Sequence, residues 1–278
     1  MSTEPRNVAR DVLAAVLPVV APAAVADAIL SAVKSDGKAQ DVYPALLCLT
    51  GMDSYGIIKK MLGGIVMTEQ QKKYYAKRGA ILVKNLQNRH FGAHYCDSKE
   101  EALAKALELI PVGSSVSWGG ALSADQIGLT DAVKCGNYRP LLRENCTTQE
   151  ERENLMRQAM VCDVFLTGAN AMRLDGQMVN IDGTGNRLAA ICYGPKQIIV
   201  IAGMNKVEDN LDAAIRRART VAAPMNKQRF PTQTPCEVTG TCADCKVEGC
   251  ICNQILVTRH CRPVGRIQFI IVGEALGF

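Results

Sequence analysis

The run Gln197-Ile198-Ile199-Val200-Ile201 constrains the fold more than any other stretch of the chain. Four successive β-branched residues leave a strand no polar face, so it must be buried on both sides. Strands of that kind belong to parallel sheets with helices packed over both faces. The neighbouring segments agree. Short strand patterns lie at 91–96, 114–118, 139–142, 163–166, 254–258 and 266–272. Between them run helical patterns at 68–89, 98–109, 122–129, 148–160 and 208–222. Ser98 with Glu101 and Thr148 with Glu151 are capping-box pairs that open two of these helices. Pro224 is read as the stop of the last one. Alternating strands and helices of this length predict an α/β fold with a mostly parallel sheet.

In such sheets ligands gather beyond the carboxyl ends of the strands. Two glycine-rich loops occupy that position. One is Trp118-Gly119-Gly120-Ala121-Leu122-Ser123, and the other runs Asp182-Gly183-Thr184-Gly185-Asn186-Arg187 into an alanine-rich helix. Glycines allow sharp turns and close approach of backbone to a ligand, and a helix start offers unpaired N–H groups. Leu174-Asp175-Gly176-Gln177 just before carries an Asp-Gly hairpin signal.

Several function classes are excluded early. The net charge of +5 is dispersed and aromatics are only 5%, so no nucleic-acid surface is expected. No stretch of eighteen apolar residues occurs, so no membrane partner is expected. The apolar run 12–20 follows mixed charges and reads as a helix rather than a secretion signal. Residues 1–66 read as a helical appendage that caps the fold or builds an oligomer, ending at Gly63-Gly64. The α/β domain then spans 67–278.

Twelve cysteines are many for 278 residues. Half of them, Cys236, Cys242, Cys245, Cys250, Cys252 and Cys261, crowd into one segment near the end. With no secretion signal, a reducing cytoplasm is the expected location, and clustered thiols there more often hold metal than form disulfides. Cys242 and Cys245 form a C-x-x-C pair, one edge of a thiolate site. Thiolates suit zinc and iron–sulfur clusters alike, and spacing does not separate the two.

A set of short motifs resembles the LUD-domain family, the lactate utilization proteins. They are Ser115-Val116-Ser117-Trp118-Gly119-Gly120, Gln126-Ile127-Gly128-Leu129, Asp163-Val164-Phe165-Leu166-Thr167-Gly168-Ala169-Asn170-Ala171 and Asp175-Gly176. They continue through the 179–190 stretch, Gly194-Pro195-Lys196, Gly203-Met204-Asn205-Lys206-Val207 and Val272-Gly273-Glu274-Ala275-Leu276-Gly277. The resemblance covers about 67–278, and the Cys-rich segment resembles one branch of the family. It implies a Rossmann-like fold of the isomerase and CoA-transferase superfamily, and a link to oxidation of lactate or related hydroxy acids in a multi-subunit system. It also places cysteines at Cys236 and Cys252 but not at position 250. The implied ligand set is therefore Cys236, Cys242, Cys245 and Cys252, with Cys250 and Cys261 spare. Its redox context favours an iron–sulfur cluster over zinc. Arg173 and Ser123 depart from the family pattern, Arg173 adding a cation where a hydroxyl is usual.

Candidate residues follow. Asp182 is the first acid/base candidate, with capping as its competing role, and Asp125 and Glu274 stand behind it. Gly119, Gly120, Ser123, Asn170, Asn180, Gly183, Thr184, Gly185, Asn186, Arg187 and Lys206 are the candidate ligand-binding set. Arg187 supplies a planar cationic fork, and Lys206 a point charge at the same rim. His90, His94 and His260 are not expected to bind metal, since Gly92 breaks any helix that would pair the first two. No Ser-His-Asp arrangement is readable. The expected protein binds a small organic anion and takes part in hydroxy-acid oxidation, with a redox partner subunit and further copies of itself as partners. The rival reading is a non-catalytic metabolite-sensing or assembly subunit with structural zinc.

Overall fold

The computed structural model describes residues 67–230 and 233–278. The helical appendage read over 1–66 lies outside the described residues. Within Thr68–Phe278 the chain forms one compact unit. In order, its elements are α1 (Glu69–Asn88), β1 (Gly92–Cys96), α2 (Lys99–Leu109), β2 (Ser115–Gly119), α3 (Leu122–Gln126), α4 (Leu129–Cys135) and β3 (Arg139–Pro140). There follow α5 (Gln149–Gln158), β4 (Val164–Gly168), β5 (Ala171–Arg173), β6 (Gln177–Asp182), α6 (Asn186–Cys192), β7 (Gln197–Gly203) and β8 (Val207–Glu208). The chain ends with α7 (Leu211–Arg217), α8 (Ala223–Lys227), α9 (Pro235–Thr239), β9 (Gln254–Thr258) and β10 (Ile267–Val272).

The main sheet has strand order β1-β10-β7-β4-β2-β3, and every pairing is parallel. The β-branched run is its centre. Ile198, Val200 and Ala202 of β7 point to one face, where they meet Leu82 and Leu86 of α1, Leu188 and Ile191 of α6, and Phe269. Ile199 and Ile201 point to the other, against Ala102 and Ala106 of α2, with Ala124, Leu129 and Val133 on the same side. This alternation makes a three-layer α/β/α sandwich. Each fully buried aliphatic or aromatic side chain stabilises it by roughly 1.5–3 kcal/mol relative to exposure. Phe91 and Phe269 add an edge-on ring contact with centroids 5.2 Å apart.

Helix starts follow the sequence closely. The Thr148 side chain accepts from Glu151 N–H, and the Glu151 side chain returns to the Thr148 N–H, a complete capping box. At Ser98 the box is altered: Ser98 accepts from Glu101 N–H, but the Glu101 carboxylate takes the N–H of Asp97.

Four features differ from the sequence reading. The helix expected at 122–129 is two helices, α3 and α4, because Gly128 adopts φ +79° between them. The helix expected at 208–222 begins later, at Leu211, because Glu208 pairs as a strand with Arg173. Nor does it stop at Pro224. A π-helical segment (Ala218–Ala222) shifts the hydrogen-bond register before α8, and Pro224 lies in the first turn of α8, where a missing N–H costs nothing. Finally, β8-β5-β6-β9 form a second sheet built on the Asp175-Gly176 hairpin, with Gly176 at φ +85°. Met172 and Met178 on one face of that sheet join the main core, while Ala171, Val179 and Ile181 on the other meet Ala214 and Ala218.

Candidate functional site

From β2 the chain runs outward through α3 and α4 to β3, whereas β4 lies on the opposite side of β2. The connections from β2 and β4 therefore diverge, and their carboxyl ends, Gly119 and Gly168, mark a switch point, the place where α/β sheets form a ligand crevice. The two glycine-rich loops meet there. Gly120 adopts φ +58°, and a Cβ on it would lie 3.1 Å from Arg187 Cδ and Nε. The N–H of Gly168 donates to the Gly120 carbonyl at 3.2 Å, and Thr167 Oγ1 donates to the Gly119 carbonyl at 2.8 Å.

Arg187 enters this crevice from α6 and is 8% exposed. Its Nη2 donates to Asn170 Oδ1 at 3.0 Å and to the Ile181 carbonyl, and its Nη1 reaches the Gly168 carbonyl at 3.4 Å. Asn180 Nδ2 donates to the same carbonyl at 2.9 Å, while Asn180 Oδ1 is buried without a hydrogen-bond partner. The carboxylate nearest the guanidinium is Asp182, whose Oδ2 lies 4.0 Å from Arg187 Nε. Burial works against the Arg187 charge, and Asp182 supports it.

Asp182 itself is occupied. Its Oδ1 accepts the N–H of Gly183 at 2.9 Å, and its Oδ2 accepts those of Arg187 at 3.0 Å and Leu188 at 3.3 Å. The carboxylate thus fills the N-terminus of α6, the capping role that the sequence offered for it, and takes donors that a ligand would otherwise meet. Thr184, with its Oγ1 2.8 Å from Asn186 Oδ1, forms the exposed rim of the loop. Gly185 turns it at φ +84°.

Lys206 reaches the crevice from the end of β7. It is 4% exposed, and its Nζ donates to Ser123 Oγ at 3.1 Å, Ser123 being 1% exposed. Burial, then the charges of Arg217 and Arg187, push its pKa down to about 7. Arg217 is the residue the sequence reading missed. It follows Arg216 late in the helical pattern, yet it is 9% exposed. Its spacing of three from Ala214 was the available signal. Arg217 donates to the carbonyls of Asn170, Asn205 and Phe278 and has Glu208 at 4.0 Å. Three cations thus share one buried region, held chiefly by neutral oxygens.

The other acid candidates have structural partners. Asp125 Oδ1 accepts from Thr130 Oγ1 at 2.7 Å, and Glu274 accepts from the Lys99 N–H at 3.2 Å. His94 lies on β1 and His90 before it, so no helical His pair exists; the His90 ring instead faces His260, with centroids 5.9 Å apart.

The cysteine segment makes a separate pocket of about 300 Å³. Cys236, Cys242, Cys245, Cys250 and Cys252 all line it as free thiols. Burial pushes the Cys252 thiol up to about 12, and the nearby Cys250, Cys236 and Cys242 push the same way. Among the described residues, no three His, Cys, Asp or Glu side chains meet at one point suited to a metal ion. Cys261 is elsewhere, buried under the main sheet with its thiol donating to the Pro263 carbonyl at 3.1 Å.

A parallel α/β sheet with buried cations at its switch point defines a Rossmann-like protein. The LUD domain model matches residues 80–272, and the chain belongs to that family. No curated protein matches it. Among solved structures it is similar to a DUF162 family protein from Deinococcus radiodurans, with 13% identity and a TM-score of 0.42 over 71% of this chain and 97% of that one. It is also similar to ribose 5 phosphate isomerase A from Neisseria gonorrhoeae, with 18% identity and a TM-score of 0.27 over 41% of this chain and 54% of that one. Among the described residues no helix is long and apolar enough to cross a membrane.

Proposed function

We propose that the crevice beyond β2 and β4 binds a small organic anion and that the chain takes part in cytoplasmic oxidation of lactate or a related hydroxy acid. The observation that carries this reading is the charge imbalance. Arg187, Lys206 and Arg217 are all buried, while the two carboxylates near them, Asp182 and Glu208, stay 4.0 Å from the guanidinium groups. A buried cation without a close counter-ion is costly, and an arriving carboxylate relieves that cost. The unpartnered Asn180 Oδ1 adds an acceptor for a hydroxyl on the same ligand. Oxidising such a hydroxyl to a carbonyl releases two electrons and two protons, so a redox partner subunit must take the electrons. The Cys-lined pocket is where this chain would hold a centre to relay them.

Isothermal titration with lactate and with propionate, its deoxy counterpart, tests the reading. Lactate should bind more tightly by roughly three- to tenfold, the effect of one added hydrogen bond. Absence of binding by both, or equal binding, would sink it.

The inward hydrogen bonds of Arg187 and Arg217 favour a second reading, a metabolite-sensing or assembly subunit with structural zinc. A redox-silent, zinc-loaded protein that still binds the anion would select it.

A further inference from the structure

The end of the main sheet opposite the anion site carries a feature that anion binding does not use. Val112, Val161, Tyr193 and Val264 are between 72% and 85% exposed. Among the described residues, Val238 is the one other large apolar side chain exposed to that degree. Val112, Val161 and Val264 each stand three residues before a strand, β2, β4 and β10, and Tyr193 stands four before β7. These strands are consecutive neighbours, in the order β10-β7-β4-β2, and all run parallel. The four residues therefore gather at one end of the sheet, its amino edge, on successive strands about 4.8 Å apart.

The turns that carry them are tied together. A Cβ on Gly194 would lie 2.5 Å from the Met160 carbonyl oxygen, and the Lys196 N–H donates to the Cys162 carbonyl at 3.3 Å, so the Tyr193 turn lies against the Val161 turn. Arg266 Nε donates to the Pro195 carbonyl at 3.0 Å, which joins the Val264 turn to the Tyr193 turn. Asp163 Oδ2 accepts the N–H of Ser115 at 2.8 Å, which joins the Val161 turn to the start of β2. Single exposed valines need no account, but a row of four on linked turns marks a surface that another body covers.

Charge indicates what that body is. Arg139, Lys196, Arg259 and Arg262 are exposed along this edge, from β3 at one end to the segment before β10 at the other. Across 110–114, 136–139, 159–163, 193–196 and 259–266, Asp163 is the one carboxylate, and Arg139 and Lys196 share it. Carboxylates at the adjoining helix ends already have cations: Glu108 has Lys105, and Glu153 has Arg157. A second copy of the chain would set like charges face to face. A partner protein would have to place carboxylates to match cations spread along the whole row. An anionic lipid surface meets them at every position, and a tyrosine ring with short aliphatic neighbours suits the headgroup level.

We propose that the amino edge of the main sheet rests on an anionic lipid surface, with Val112, Val161, Tyr193 and Val264 at the headgroup level and the four cations facing lipid phosphates. Such contact needs no spanning helix, so the lack of a long apolar run in the sequence bears on a span and not on this edge. The carboxyl ends of the strands, with Arg187 and Lys206, face away from the lipid. The inference goes beyond the anion reading and does not depend on it.

The test is co-sedimentation of full-length protein with vesicles of phosphatidylcholine alone, and of phosphatidylcholine with about one third phosphatidylglycerol. Binding is expected to the second kind only, and about 0.5 M salt should weaken it by roughly tenfold or more. Tyr193→Asp should cost roughly tenfold in affinity, whereas Tyr74→Asp, the same change of charge at an exposed tyrosine of α1, should cost no more than about twofold. In wild-type protein the anionic vesicles should slow amide exchange at 112–113, 160–163 and 193–196, a measurement that needs no variant to fold. Protein that ignores the anionic vesicles, binds neutral ones equally well, or binds as tightly after Tyr193→Asp as before overturns the proposal. So does a dimer in sedimentation velocity that Tyr193→Asp splits, because a second copy then covers the edge.

Discussion

Lys206 Nζ lies 3.1 Å from Ser123 Oγ, joining the end of β7 to the start of α3 across the crevice. Eighty-three residues separate the two in sequence. The pair is covered by the chain end: a Cβ on Gly277 would stand 2.8 Å from Ser123 Oγ and 2.9 Å from Lys206 Nζ. The ammonium therefore sits in a closed, low-dielectric region beside two guanidinium groups, which gives a first prediction about pH.

Lys206 has its pKa lowered from 10.5 to about 7 in the folded protein, by burial first and then by Arg217 and Arg187. Between those values the unfolded chain holds the proton and the folded chain does not. Stability should therefore rise as pH climbs from about 7 to 10, and Lys206→Met should flatten that rise. Urea unfolding at several pH values measures it. Anion affinity should run the other way. It should be strongest below pH 7 and weaken by at most about tenfold per pH unit above it, with proton uptake on binding visible in buffers of different ionisation heat.

Asp163 sets the acid limit. Lys196 first, then the Ser115 hydroxyl and N–H, hold its carboxyl well below the usual carboxylate range. A depressed folded pKa contributes stability above the unfolded value and loses it as pH falls below about 4. The Asp163→Asn variant should lose its urea midpoint less steeply between pH 5 and 2 than wild type does. Because the side chain is partly exposed, added salt should shrink the difference.

Asp182→Ala removes the acceptor for three N–H groups at the start of α6 and the counter-charge of Arg187. Loss of the cap alone costs about 0.5–2 kcal/mol, and the uncompensated guanidinium adds to it. Chemical denaturation should show this loss. A variant as stable as wild type would mean that Asp182 is not committed to the cap and would return it to the acid/base candidates.

Asn253→Ala removes the side-chain hydrogen bond from the cysteine loop to the Gly183 carbonyl and leaves the backbone bond to Asp182 in place. Amide exchange at 182–187 should accelerate, while β7 and β10 remain protected. Equal exchange in the two proteins would show that the Asn253 side chain does not couple the loops.

Gly203→Ala places a Cβ 2.5 Å from the Glu274 carbonyl oxygen and the Leu276 nitrogen, both backbone atoms. Backbone cannot step aside as a flexible side chain can, so a loss of about 1–3 kcal/mol is expected in thermal or urea unfolding.

Much of this was legible locally. The β-branched run at 198–201, the capping pair at Thr148 and Glu151, and the Asp175-Gly176 turn each carry their signal within a few residues. Arg217 was hidden because its acceptors, the carbonyls of Asn170, Asn205 and Phe278, lie on other elements, and only the fold brings them to it. Pro224 misled because the rule against helical proline assumes an unbroken hydrogen-bond register, which the π segment shifts.

By itself the sequence determined the parallel α/β sheet, the two glycine loops and the gathering of thiols near the chain end, because periodicity, turn chemistry and composition act over short spans. Only the tertiary structure decided that Asp182 turns its carboxylate onto its own helix, and that Arg217 joins Lys206 and Arg187. It also drew Cys250 in among the other thiols. Burial, and the pairing of a charge with its partners, depend on residues far apart in the chain, and only the folded sheet brings those together.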